Sequence, residues 1–382
     1  MGSGCDRRCG GARNPGFKAD TFARQRERGG TTLEEVPGTF RGSSAGSEPF
    51  VNVETQIGIA AAAFTLPSNK RAVRSLVEEE SATLDPAVIE RLGIEEVPIC
   101  DGETASEMAA AACREALQRA DLDVAQVDLI VDYSILPQEF LVPAWNMSNK
   151  LQHELGAKKA FTVGFSGGGA TNFLVALSSA VAILQANEKL TSALLVGADV
   201  TIPGNRILNP QDPVTVLGDS ASAVVLKKGT ATSIVIDNEL HSDGSYHDVC
   251  YIPGGALANP DDPALYRLQL DKQRYDKAPK ARWLIALIET LLLRNEVNPE
   301  DVVFGLYPNL SAEDQTRFAD AAGFGPGQLD TGNLKSHGHL QGTDLVLNYL
   351  SMIDSGAVET GQYVVAASHG MGFLGGASLL RL

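Results

Sequence analysis

Basic charge is what this chain has least of: 31 Lys and Arg stand against 47 Asp and Glu, for a formal net charge of −16. Phosphate backbones are bound by clustered cations, so this balance argues against a nucleic-acid partner. Cysteine is scarce and irregular. Cys5, Cys9, Cys100, Cys113 and Cys250 are odd in number and match neither a disulfide framework nor a four-ligand set, so no metal is expected. No stretch holds the roughly 18 uninterrupted apolar residues of a membrane span. The N-terminus has no basic-then-apolar leader pattern. The expectation is a cytoplasmic protein with no membrane association. Residues 1–50 also lack any sustained apolar period and are rich in Gly, Arg, Ser and Thr, which predicts a disordered N-terminal extension.

What the chain has in quantity is apolar periodicity. Its 382 residues are 44% hydrophobic, enough for one large core or two domains. The stretch from Lys158 to Asp199 organises the rest. An apolar run, Ala160 to Phe165, stops at Gly167-Gly168-Gly169; a helical period then lasts to Asn187 and a second apolar run follows. Read as strand, glycine turn, buried helix and strand, this puts unpaired helix N–H groups where a glycine backbone lets a ligand approach. Ser166, in Gly164-Phe165-Ser166-Gly167-Gly168, fits the elbow that lifts a serine onto a strand-to-helix turn. Three glycines equally make a close-packed turn with no ligand.

Further strands are expected at 51–64, 128–135, 193–200 and 221–226, with helices at 108–120, opened by a capping box from Thr104 to Glu107, and at 146–155. The order returns later: strand 233–237, helix 282–294, strand 302–307, helices 312–321 and 344–354, strands 363–368 and 375–380. Such alternation calls for an α/β fold with mainly parallel central strands, in two similar halves, 51–230 and 231–382, packed face to face.

Particular segments carry a resemblance. They are Arg91-Leu92-Gly93-Ile94 followed by Asp101-Gly102-Glu103-Thr104, then Leu194 to Asp199, Leu217 to Ala223, Gly338-His339-Leu340-Gln341-Gly342-Thr343-Asp344, and Gly370-Met371-Gly372-Phe373. Over about Val51 to Leu382 the chain resembles the thiolase-fold condensing enzymes, in particular the β-ketoacyl-acyl-carrier-protein synthase III branch and its acyltransferase relatives. The resemblance implies a thiolase fold, with duplicated halves in five αβαβα layers, and a homodimer or a heterodimer with an active homologue. It implies acyl-CoA or an acyl carrier protein as partner, the acyl-CoA or acyl-phosphopantetheine being substrate, with no resident cofactor. Arg91 then lies by the CoA entrance, and Gly167, Gly168 and Gly372 belong to the glycine turns that the pantetheine arm reaches.

Function in that family rests on a cysteine nucleophile at the start of the central helix, helped by a histidine and a second polar group. Here the cysteine position falls at Ala170 or Thr171, and the first histidine position at Tyr307-Pro308-Asn309. His339 and Asp344 remain. Ser166, or Thr171 nearer by alignment, is a candidate nucleophile, with His339 as base and Asp344 orienting its imidazole. The plainer alternative is a packing Ser166 and a His339 bonded within the interface between halves. An α/β-hydrolase is the rival fold, with His369 closing its triad. Loss of a paired imidazole favours simple acyl transfer to an alcohol, amine or thiol over decarboxylating condensation. The expected setting is fatty-acid-like or specialised, polyketide-type metabolism. The other functional reading is a catalytically silent partner subunit of an active condensing enzyme.

Overall fold

The computed structural model describes residues 39–40, 56–79, 85–136, 138–140, 145–255, 259–371 and 373–382. The first half contains β1 (Ile57–Thr65), α1 (Pro86–Leu92), α2 (Ala105–Arg119), β2 (Leu129–Asp132), α3 (Met147–Leu155), β3 (Phe161–Gly164), α4 (Asn172–Ala186), β4 (Ser192–Asp199) and β5 (Ser220–Lys228). The second contains β6 (Ile234–Ser242), α5 (Lys280–Arg294), β7 (Val302–Leu306), α6 (Ala312–Ala322), α7 (Asp344–Ser355), β8 (Tyr363–His369) and β9 (Leu374–Arg381). The capping box at α2 is formed, with the Thr104 hydroxyl accepting from Glu107 N–H and the Glu107 carboxylate accepting from Thr104 N–H.

The strands run β7-β8-β9-β6-β1-β5-β4-β2-β3 across one sheet. The two halves meet in it at a single residue pair, Ile234 with Gly58. On either side of that seam the pattern repeats: β1-β5-β4-β2 matches β6-β9-β8-β7, and the place of β3 is taken by an isolated parallel bridge, Gly305 with Leu329. The central strands are not mainly parallel as the sequence led us to expect. β5 is antiparallel to β1 and β4, and β9 to β6 and β8; parallel pairing is confined to the outer strands. The reason is connectivity: β4 to β5 and β8 to β9 are joined by loops without a crossover helix, so the chain returns antiparallel.

Three apolar clusters define five layers. α2 and α3 cover the outer face of the first half's strands, α5 and α6 that of the second's, and α4 and α7 lie between, sharing one core with strands of both halves. β4 is buried on all eight residues, which is why it reads as a continuous apolar run. Gly169–Ala186, the turn before α4 and the helix itself, is long and apolar enough to cross a membrane by length and composition, which the sequence reading had not found. Its position between two layers of strands accounts for that composition.

Thr39–Phe40 forms a short strand paired antiparallel with Leu240 and His241, so these two residues depart from the disorder expected of 1–50. The remainder of that stretch lies outside the described residues.

Candidate active site

The site forms where the two central helices begin. α4 and α7 are each entered through a 3-10 turn, Gly169–Thr171 and Gln341–Thr343, and the two turns pack together. Each threonine reaches into the opposite half: Thr171 donates to the Leu374 carbonyl at 3.1 Å, and Thr343 shares a 2.6 Å bond with Ser220.

His339 is fixed first through its backbone, whose N–H donates to the Val216 carbonyl at 3.0 Å while its own carbonyl accepts from Gly218 N–H at 3.1 Å. Its ring is buried, and Nδ1 lies 2.6 Å from Asp344 Oδ2. Asp344 opens α7, where the helix dipole favours a carboxylate, and it also accepts from Leu340 N–H at 2.8 Å and Asn309 N–H at 2.7 Å. With Nδ1–H given to that carboxylate, Nε2 presents its lone pair, and no described residue takes it. The pair is therefore an oriented base with one free nitrogen.

Asn309 occupies the place where the resemblance puts a histidine. It is fully buried, donates to Asn348 at 3.2 Å and accepts from Gln315 at 3.0 Å, so it braces Asp344 from behind. Reading the sequence placed the missing histidine within Tyr307-Pro308-Asn309 but gave Asn309 no role, and it missed Gln315 and Asn348.

The candidate nucleophiles are placed differently. Ser166 is exposed on its turn, and its hydroxyl makes no hydrogen bond among the described residues. Thr171 is buried, with its hydroxyl directed at the carbonyls of Ser368 and Leu374. The structure thus joins His339 to Asp344 and hydrogen-bonds neither hydroxyl to that pair. The glycine turn closes on the loop after β8: a Cβ on Gly169 would lie 2.8 Å from Met371 N, and one on Gly370 only 1.8 Å from the Gly168 carbonyl oxygen. Gly168 N–H donates to Asn172 Oδ1 at 2.9 Å, whereas a Cβ added at Gly167, which sits at φ 87°, would meet no other described residue within 4 Å. Gly372 lies outside the described residues.

No described cysteine lies at the start of α4. Burial pushes the thiols of Cys100 and Cys250 up to about 12, and that of Cys113 higher still, so none is poised to ionise. Among the described residues no group of His, Cys, Asp and Glu could hold a metal ion.

Arg91, in the last turn of α1, is engaged by Asp212 at 2.8 Å and Glu313 at 3.7 Å at the mouth of a cavity of about 560 Å³. Lys280, Arg317, Tyr275, Tyr307 and Asp314 also line it, but His339 and Ser166 do not. Tyr307 of its wall accepts at its carbonyl from Asn348 Nδ2 at 2.8 Å, the amide that also meets Asn309.

Known proteins bear on this geometry. The 3-oxoacyl-[acyl-carrier-protein] synthase III profile matches residues 168–244. A β-ketoacyl-[acyl-carrier-protein] synthase III of Rhodospirillum centenum is 31% identical over 308 residues, covering 78% of this chain and 91% of that protein. One from Rhodospirillum rubrum is 28% identical, covering 85% and 98%. The crystal structure of the Pseudomonas aeruginosa 3-oxoacyl-(acyl carrier protein) synthase III superposes with a TM-score of 0.72 at 22% identity, over 85% of this chain and 98% of that one. That likeness bears out the thiolase fold and removes the α/β-hydrolase alternative.

Proposed function

From the premise that this chain belongs to the β-ketoacyl-[acyl-carrier-protein] synthase III family, we propose that it is an acyltransferase that moves an acyl group from acyl-CoA or an acyl carrier protein to an acceptor. The observation that carries the reading is the buried 2.6 Å pair of His339 and Asp344 with its free Nε2. A general base is what an acceptor O–H or N–H needs in order to attack a thioester. Decarboxylating condensation asks for a histidine and a second polar group that both face the enolate; Asn309 stands at the histidine position, and its side chain is engaged instead by Asn348 and Gln315 behind Asp344. Ser166 is the candidate for a transient acyl-enzyme, since its exposed hydroxyl is free while that of Thr171 is engaged. The donor enters by the mouth that Arg91 borders. The setting is fatty-acid-like or specialised metabolism, and the assembly is a homodimer through β3, an edge strand whose Phe161 is 69% exposed.

The test is thiol release from acyl-CoA or acyl carrier protein, followed with a thiol-reactive dye alongside intact-mass analysis. The intact chain should release thiol, His339→Ala should slow release by about 10²–10⁴-fold, and Ser166→Ala should abolish any covalent adduct. No release with any donor, together with copurification of a cysteine-containing homologue, would replace this reading by a silent partner subunit. That second reading draws support from one observation: none of the described thiols is at the α4 start.

A further inference from the structure

Five cations line the cavity, Arg91, Lys272, Lys280, Arg282 and Arg317, in a chain whose net charge is −16. Asp212 bridges two of them with separate oxygens. Its Oδ1 lies 2.8 Å from Arg91 Nη2 and its Oδ2 lies 3.1 Å from Lys272 Nζ. Arg91 comes from the last turn of α1 and Lys272 opens the short helix Lys272–Lys277, so one carboxylate joins cations of two separate elements. A guanidinium and an ammonium sharing the oxygens of one anion is also the arrangement in which a phosphate is held.

Asp212 stands at the tip of a hairpin that pairs Ile207–Leu208 with Thr215–Val216. The tip does not need its carboxylate to keep its shape. Asp212 N–H donates to the Asn209 carbonyl at 3.1 Å, Asn209 Nδ2 returns a 2.8 Å bond to the Asp212 carbonyl, and Val214 N–H donates to the Leu208 carbonyl at 3.0 Å. The Asp212 side chain is 54% exposed, and ion pairs so open to water add little to stability. Partial burial alone would raise its carboxyl, but Lys272 and Arg91 outweigh that and hold it below the usual range, so it stays an anion. Arg91 has a second anchor in the Pro213 carbonyl at 3.0 Å, which keeps the guanidinium in place without the carboxylate. At its base the same hairpin reaches the catalytic pair, where the Val216 carbonyl accepts from His339 N–H. Cavity mouth and general base are thus two ends of one hairpin.

We propose that Asp212 is a built-in competitor for the donor's phosphate, holding Arg91 and Lys272 until that phosphate displaces it. The proposal rests on the acyl-transfer reading above, in which the donor enters by this mouth. Binding then exchanges one anion for another. The phosphate takes the two cations, and the carboxylate turns to the water that already reaches half of its side chain. Displacement needs an arriving anion, so a thioester arm without phosphate leaves Asp212 where it is. Asp212 is in this way a specificity-determining residue: it lowers affinity for every phosphate-bearing donor and leaves that for a neutral one unchanged.

Calorimetric titration of the full chain tests this without turnover, with CoA, a holo-acyl carrier protein, its apo form and pantetheine as probes. Asp212→Ala and Asp212→Asn should each tighten the binding of CoA or of the holo-carrier at least fivefold. Pantetheine and the apo-carrier should shift by less than twofold. The gain should vanish when Arg91→Ala is added, because the displaced carboxylate then has no cation to release. A gain for CoA alone supports the proposal with free CoA as the source of the phosphate, and a gain for the holo-carrier alone supports it with the carrier's arm. Equal or weaker binding by both Asp212 variants, no binding of either phosphate-bearing probe, or a gain that survives Arg91→Ala overturns it; the last would reduce Asp212 to one charge in a general field. Tighter CoA binding without thiol release from any acyl thioester instead sinks the acyl-transfer reading and leaves the displaced carboxylate standing.

Discussion

At the residue scale, the carboxyl of Asp199 is the most exposed to pH. It ends β4 completely enclosed, accepting from Ile135 N–H at 2.8 Å and Gly342 N–H at 3.3 Å, so it ties the loop after β2 to the turn that follows His339. Burial dominates these donors and pushes it up from 3.8 to about 7. The folded chain therefore keeps a proton that the unfolded chain has released. Stability from this group is complete below the unfolded value of 3.8 and is lost as pH rises to about 7. A shift of that size corresponds to on the order of 4 kcal/mol. Asp199→Asn, which cannot ionise, should lose less stability between pH 4 and pH 8 than the parent chain by a few kcal/mol. Urea midpoints across that range measure it, and parallel curves for the two proteins would remove Asp199 as the cause. His339 and Asp344 were legible in the sequence because they sit in one glycine-marked motif. Gln315 and Asn348 were not, and Asn309 was legible as a position but not as a brace, since buried amides have no period or charge by which to be found. The exposure of Ser166 depends on which way a turn points, and residue identities do not encode that.

Among the elements, the glycine turn and the loop after β8 are coupled by contact between backbones. Gly370 has no room for even a methyl group, since a Cβ would meet the Gly168 carbonyl oxygen at 1.8 Å. That oxygen belongs to the turn that starts α4 and cannot move without shifting Asn172, whose side chain holds Gly168 N–H and reaches the carbonyls of Ser134 and Phe165. Gly370→Ala should therefore cost about 2–4 kcal/mol and lower the melting temperature by several degrees. A thermal scan checks it, and a shift below one degree would show that the two loops are free to separate. The strand and helix positions were readable because apolar runs and periods mark them directly. Strand direction was legible only in part. β8 ends at His369 and β9 begins at Leu374, too close for a crossover, whereas the stretch between β4 and β5 is long enough for one and lacks only the helix.

For the whole molecule, duplication has a consequence that the two-half reading of the sequence contained only in part. Phe173, Leu177, Val181 and Leu184 of α4 share one apolar cluster with Leu345, Val346, Tyr349 and Met352 of α7, and that cluster draws strands from both halves. Between strands the halves exchange one residue pair, so the central helices supply most of what joins them. Burying each such Leu, Phe or Met is worth about 1.5–3 kcal/mol, a sum that neither half could forgo within the usual margin of about 5–15 kcal/mol. Cutting the chain in the exposed turn at Gly229 to Thr232, between β5 and β6, should therefore give two fragments that aggregate when made alone. Coexpressed, they should copurify one to one with the His339 and Asp344 site assembled. The intact chain should melt in one cooperative calorimetric transition. Two separated transitions, or a soluble and cooperatively folded fragment 51–230, would show that each half completes its own core and that the shared cluster is only an interface between domains.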